Sequence, residues 1–113
     1  MQTQFLIYGA NGYTGELIAR IAVEQGMRPI LAGRNAAQVA ALAARLDLPY
    51  RIAALDDATA LDALLQEVAV VLHCAGPFVH TAAPMVDACL RNHVHYLDIT
   101  GEIAVFEALA ARY

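Results

Sequence analysis

Residues 4–15 read Q-F-L-I-Y-G-A-N-G-Y-T-G, a short apolar run followed by glycines at positions 9, 12 and 15. The run 4–8 has the length and composition of a strand. Behind it, 12–25 carries Leu17, Ile18, Ile21 and Ala22 at spacings of three and four, the period of a helix buried along one face. The three glycines therefore fall on the turn from a first strand into a first helix. Such a turn has to leave the strand sharply, let a phosphate approach the backbone and pack the new helix on the sheet, and each task favours a residue without a Cβ. Unpaired N–H groups at the helix start aim the positive end of its dipole at the same place. The stretch predicts a dinucleotide-binding loop formed by Gly9, Asn11, Gly12, Tyr13, Thr14 and Gly15. As a bare spacing the glycines suit any tight turn, and it is the strand before and the helix after that favour the phosphate reading.

Outward from this loop, short apolar runs keep alternating with segments of helical period. Strands are expected at 29–32, 50–55, 68–74 and 96–99, and helices at 35–46, 57–67, 81–92 and 102–112. Gly26 stands where a helix C-cap belongs, Asn35 with Gln38 resembles a capping box, Asp57 opens the third helix, and Thr81 is expected to cap the fourth with Pro84 in its first turn. The run V-A-V-V-L-H-C at 68–74 suits a strand covered on both faces. Right-handed crossovers then give an α/β fold with a doubly wound parallel sheet, Rossmann-like, of order 3-2-1-4-5. No repeat or linker divides residues 1–113, so one domain is expected. A full sheet of this type adds a sixth strand, so the chain is expected to be a fragment of a longer protein, ending before that strand and before a substrate domain.

Composition agrees with a small globular domain: 113 residues, 59% hydrophobic and 16% charged. The formal net charge is −4, and all seven basic residues are Arg, scattered along the chain. With no basic stripe, nucleic acid is not an expected partner. Cys74 and Cys89 make no disulfide framework, which fits a reducing cytoplasmic setting. The uncharged stretch 68–86 is long enough for a membrane span, but His73, Gly76, Pro77, His80 and Pro84 break it into strand, turn and helix start. The first residues show no basic leader, so neither membrane insertion nor a signal peptide is expected.

Gly33-Arg34-Asn35 ends the second strand, where NAD-binding units usually carry a carboxylate for the ribose hydroxyls. A guanidinium there binds a 2′-phosphate instead, so the predicted cofactor is NADP. Asp56, ending the third strand, is a candidate acceptor for the adenine amino group. At the end of the fourth strand, Ala75 and Gly76 are small enough to admit ribose and nicotinamide, Pro77 stiffens the turn, and Phe78 and His80 are candidates to cover the nicotinamide. An ordinary strand-to-helix turn explains His73 and His80 equally well. His93 and His95 alternate at the start of the fifth strand, but two imidazoles without a nearby Cys make a poor metal site, and no metal is predicted. Asp98, Thr100 and Glu102 gather where a parallel strand delivers ligands to the crevice, with Asp98 or Glu102 placed to face a substrate. The sequence places beside neither carboxylate a residue that would mark it as a general acid or base, so the catalytic residues stay unassigned.

Four motifs in order, Y-G-A-N-G-Y-T-G-E-L-I-A, L-A-G-R, H-C-A-G-P-F and Y-L-D-I-T-G-E, resemble the N-terminal NADP-binding domain of the saccharopine dehydrogenase-like oxidoreductases. The resemblance spans nearly the whole chain. It implies a reductase cofactor module with Gly9, Gly12, Gly15, Arg34, Gly76 and Pro77 in the cofactor-facing motifs, followed by a second domain that binds substrate and dimerises. The implied role is hydride transfer between NADP(H) and an amino-acid-like or other small substrate, with this chain inactive alone. Two alternatives stand beside it. A short-chain dehydrogenase or epimerase relative shares the glycine spacing but pairs a Tyr with a Lys, and this chain holds no Lys. A non-enzymatic NADP-sensing module is the other. An open fifth-strand edge, or Ile103, Phe106 and Leu109 on the last helix, also predicts self-association.

Overall fold

Strands and helices alternate along the chain as β1 (Phe5–Tyr8), α1 (Tyr13–Glu24), β2 (Ile30–Gly33), α2 (Ala36–Leu46), β3 (Tyr50–Ile52), α3 (Ala58–Leu64), β4 (Val70–His73), α4 (Phe78–Asn92) and β5 (His95–Asp98). This computed structural model describes residues 4–99 and 110–111, without the side chains of Phe78 and Val79. Thr100, Glu102, Ile103, Phe106 and Leu109 lie outside the described residues.

The five strands form one parallel sheet of order β3-β2-β1-β4-β5, the expected doubly wound arrangement. Side chains alternate across it. Leu6, Tyr8, Ile30, Ala32 and Val71 meet Leu61, Leu64, Met85 and Cys89 of α3 and α4 on one face. Ile7 and Leu31 meet Ala19, Val39 and Leu42 of α1 and α2 on the other. Small Ala19 and Ala22 form much of the buried stripe of α1, so its backbone lies close to the sheet. On this second face, in-register Leu72 and Leu97 are only half-buried and exposed, so among the described residues β4 is fully covered on one side alone.

The helix ends follow local chemistry. Asn35 Oδ1 accepts from the Gln38 N–H and Asp57 Oδ1 from the Ala60 N–H, each at 3.0 Å, as N-caps do. Gly26 (φ +81), Asp47 (φ 54) and His93 (φ 56) take the left-handed conformation that ends helices.

Several boundaries differ from the sequence expectation. The Gln38 side chain bonds Asn11 rather than returning to Asn35, so the capping box is half formed. Helix α4 starts at Phe78, directly after extended Pro77. Thr81 therefore caps nothing; its hydroxyl donates to the Ala75 carbonyl at 2.6 Å, and Pro84 falls in the second helical turn. Strand β3 stops at Ile52 because the chain then turns toward Asp57, whose N–H bonds the Ala54 carbonyl. His93 caps α4 and only His95 lies in β5, so the two imidazoles do not share a strand face.

Candidate functional site

The order reverses between β1 and β4, and a cleft opens at the C-terminal ends of these strands, the place where doubly wound sheets take ligands. Its volume is ≈ 460 Å³, within the range of about 300–1,000 Å³ usual for small-molecule sites. Three loops form its walls: residues 9–12 after β1, 33–35 after β2, and 74–77 after β4.

The first wall is set by glycine geometry. The Gly9 and Ala10 N–H groups both donate to the Ala32 carbonyl, at 2.9 and 3.1 Å, and the Gly12 N–H to the Gly9 carbonyl at 3.1 Å. Gly9 has φ +82, and a Cβ on it would lie 2.7 Å from the Ala75 nitrogen. The loops after β1 and β4 thus touch backbone to backbone. A Cβ on Gly15 would overlap the Gly9 carbonyl oxygen, so this glycine seats α1 beneath the loop. Gly12 is different: a Cβ there would meet only the Gly9 oxygen, at 3.4 Å. Its position is free of internal constraint and borders the cleft. As N-cap of α1 it gives no side-chain cap, leaving the first-turn amides without one.

The second wall carries Arg34, exposed at the end of β2. Its charge and that of Asp56 are both felt by the Tyr8 hydroxyl, whose pKa is raised chiefly by burial, with Arg34 opposing and Asp56 adding. That hydroxyl donates to the Ala53 carbonyl at 2.6 Å, tying the end of β1 to the chain leaving β3.

The third wall is built by α4. The Gly76–Pro77 peptide is cis. Thr81 donates its single proton to a carbonyl of this loop, Ala75 at 2.6 Å being nearer than Pro77 at 3.3 Å. His73 Nε2, 2.9 Å from the same hydroxyl oxygen, is then the donor of that pair. His73 is completely buried between the rings of Tyr8 and Tyr96. Burial drives its pKa down to about 4, against a smaller raising effect from Asp98, so at neutral pH it is an uncharged imidazole in its Nε2–H form. Cys74 borders the cleft with a thiol pushed up to about 11 by burial, which keeps it protonated and weakly nucleophilic.

Of the residues singled out by sequence, Gly9, Asn11, Gly12, Arg34, Ala75, Gly76, Pro77 and His80 line this cleft. Tyr13 does not; it projects into solvent, 89% exposed. Thr14, in the first turn of α1, and buried Gly15 also stand off the cleft lining, as does exposed Asp56. His73 faces the core rather than the cleft, and Asp98 accepts from the Tyr96 hydroxyl at 2.8 Å. Tyr8, Gly33, Asn35, Gln38, Leu55, Cys74 and Thr81 line the cleft without having been read as site residues, Asn35, Gln38 and Thr81 having been read only as helix caps. Tyr8 and Gly33 sit directly beside residues that were read as part of the site. Among the described residues no three His, Cys, Asp or Glu side chains gather as metal ligands, and no helix is long and apolar enough to cross a membrane.

The chain is 34% identical over 105 residues to a trans-acting enoyl reductase of Mycobacterium leprae, covering 87% of this chain and 25% of that protein. It is 32% identical over 124 residues to a probable mitochondrial saccharopine dehydrogenase-like oxidoreductase of Arabidopsis thaliana, covering 96% and 27%. It therefore spans about a quarter of the length of these curated relatives. Among solved structures, the triphenylmethane reductase of Citrobacter sp. complexed with NADP(H) has the same fold, with a TM-score of 0.78 at 19% identity, over 97% of this chain and 44% of that one. The family model described as the saccharopine dehydrogenase NADP binding domain matches residues 5–112, so the strand-loop-helix start, the Arg34 turn and the Ala75-Gly76-Pro77 loop fall inside one matched unit, and the chain belongs to that family.

Proposed function

We propose that the cleft binds NADP(H), with the pyrophosphate at the amides opening α1 and the 2′-phosphate at Arg34. The observation that carries this reading is the cleft itself, which has a glycine loop at an uncapped helix start on one side and a guanidinium on the other. The residues fit the group: a Cβ on Gly12 would make only one ordinary contact, to the Gly9 oxygen at 3.4 Å, at the cleft border, so nothing internal calls for glycine there, whereas a phosphate against the backbone does. Gly9 and Gly15 shape that loop, and Tyr13 and Thr14 contribute backbone N–H groups rather than side chains. Ala75, Gly76 and Pro77 form the wall for the nicotinamide ribose, held by Thr81. Asp56, exposed just beyond the cleft lining next to Leu55, is the proposed acceptor for an adenine amino group that extends past the outer end.

When bound, the nicotinamide supplies a hydride donor or acceptor. The chain's own residues hold and orient it. We assign the chain as the cofactor-binding part of a longer oxidoreductase acting on an amino-acid-like or other small substrate, with the substrate wall supplied by the remaining polypeptide. The fourfold greater length of the relatives supports this. Hydride transfer needs both reactants at near-attack distance, so this chain alone is expected to bind but not to turn over. Two free thiols, at Cys74 and Cys89, support a reducing, cytoplasmic setting.

Calorimetric titration with NADPH and NADH tests the cofactor assignment. NADPH is expected to bind more tightly, and Arg34→Ala to reduce that preference about tenfold to a hundredfold, the worth of a hydrogen-bonded charge pair. Equal affinities for both nucleotides in the unmodified chain would overturn it.

Among the described residues β5 is a sheet edge, with Leu97 on it 57% exposed and Ile99, just past its end, 42% exposed. Such an edge pairs readily with another chain, and we propose self-association through it. Sedimentation at high concentration is expected to give a dimer that Leu97→Lys dissociates. A monodisperse monomer in the unmodified chain would refute the proposal.

A further inference from the structure

The side chain of Gln38 is committed at one end and open at the other. It stands in the first turn of α2, where its backbone N–H is taken by the Asn35 cap at 3.0 Å. Its Oε1 accepts from Asn11 Nδ2 at 2.6 Å, across 27 residues of sequence. Asn11 belongs to the glycine loop, and its own Oδ1 is turned to Gly33, 3.1 Å from where a Cβ on that glycine would lie. The amide of Gln38 is thereby oriented, with its oxygen toward the loop after β1. Its Nε2, carrying two hydrogens, has no hydrogen-bond partner among the described residues. Both Gln38 and Arg34 line the cleft, one turn of chain apart.

We propose that Gln38 is a second selector for the ribose 2′-phosphate: clamped by Asn11, it presents its amide N–H beside the Arg34 guanidinium to the phosphomonoester. This rests on the NADP reading of the cleft and deepens it. A phosphate ester offers only acceptor oxygens and carries close to two negative charges at pH 7. A fixed neutral donor next to a cation therefore matches it, and a hydrogen bond to a charged oxygen is roughly twice as strong as one to a neutral hydroxyl. The clamp has a second effect. It joins the loop that holds the pyrophosphate to the helix that bears the 2′-phosphate contacts, so the two phosphate subsites keep a fixed separation.

The test is titration of the 113-residue chain with NADPH and NADH, using Gln38→Met, Gln38→Glu and Arg34→Ala. Methionine keeps the length and helix propensity of the side chain but removes both the donor and the oxygen that Asn11 holds. It is expected to weaken NADPH about five- to tenfold, the lower range for one charge-assisted hydrogen bond, and to leave NADH within about twofold. Glutamate keeps an acceptor for Asn11 Nδ2 while setting a carboxylate against the phosphate, so NADPH is expected to weaken further and NADH to stay unchanged. Equal losses for both nucleotides in Gln38→Met would make Gln38 a structural clamp only and overturn the proposal. No loss for either nucleotide would overturn it as well. In both cases a preference still erased by Arg34→Ala would leave the NADP assignment standing. A chain that never prefers NADPH would overturn both together.

Discussion

Gly15→Ala is expected to destabilise the domain by at least about 3 kcal/mol, the upper end of overpacking costs, whereas Gly12→Ala is expected to keep the fold and lose the dinucleotide. At position 15 the new Cβ overlaps the Gly9 carbonyl oxygen and lies 2.9 Å from Ala10 Cα. Both are backbone atoms, and the Gly9 and Ala10 amides are already bonded to the Ala32 carbonyl. Neither neighbour yields without moving α1 away from the sheet, and α1 buries Gly15, Ala19 and Ala22 against it. At position 12 the same methyl meets one atom at ordinary contact distance. There the cost is that of a poorer N-cap, about 1 kcal/mol or less. The methyl would occupy the space in which a phosphate approaches the amides of α1, so NADPH affinity is expected to fall at least about tenfold, one charge-assisted bond's worth. Thermal melts and titrations of the two variants separate the effects. A Gly15→Ala melting temperature less than about 10 °C below that of the unmodified chain, or undiminished NADPH binding in Gly12→Ala, contradicts these roles.

The contrast shows which part of the loop the sequence made legible. Three glycines between a strand and a helix locate the turn, but spacing cannot say which glycine is needed by the fold and which by a ligand. That depends on Ala75 and Ala32, neighbours supplied by sheet order. The order itself was legible, because alternating apolar runs and helical periods leave few right-handed arrangements. Long-range polar contacts were not. The Tyr8–Ala53 and Asn11–Gln38 bonds span 45 and 27 residues, and no local pattern announces either. Gln38 was read as half of a capping box because that pairing is local. In the fold its amide had a nearer partner in the loop after β1.

The start of α4 misled for a related reason. Thr81 has the chemistry of an N-cap, yet the extended backbone of Pro77 lets the helix begin one residue later. The Thr81 hydroxyl is then free to hold the Ala75 carbonyl. His73 shows that strand parity carries more than residue type. It lies two residues from buried Val71, on the face covered by α3 and α4, and the cleft is lined instead by Cys74 and Ala75.

That placement gives His73 a thermodynamic role, and the stability of the domain is expected to fall by on the order of 3 kcal/mol as pH drops from about 6.5 to about 4. In the unfolded chain the imidazole takes up a proton near its ordinary value of 6.5, while in the folded chain it does so only near 4. Between these values the unfolded state binds the extra proton, so acid favours unfolding. The contribution is intact above 6.5, is lost progressively through the window and is flat below it. Burial between Tyr8 and Tyr96 is the main cause, and the Asp98 charge opposes it without cancelling it. Asp62 acts in a separate, lower window. Its hydrogen bonds from Arg91 and Asn92 hold its carboxyl below the usual carboxylate range, so its effect appears only as pH falls below about 4. Denaturant unfolding at a series of pH values reads the slope directly, with His73→Gln as the comparison because glutamine keeps a donor for Thr81 and cannot titrate. A slope between pH 6.5 and 4 that is as steep in His73→Gln as in the unmodified chain would remove His73 as its source. In the folded chain the imidazole stays neutral through most of this window, so its Thr81 contact and the Ala75-Gly76-Pro77 wall are expected to hold until pH approaches about 4, even as stability falls.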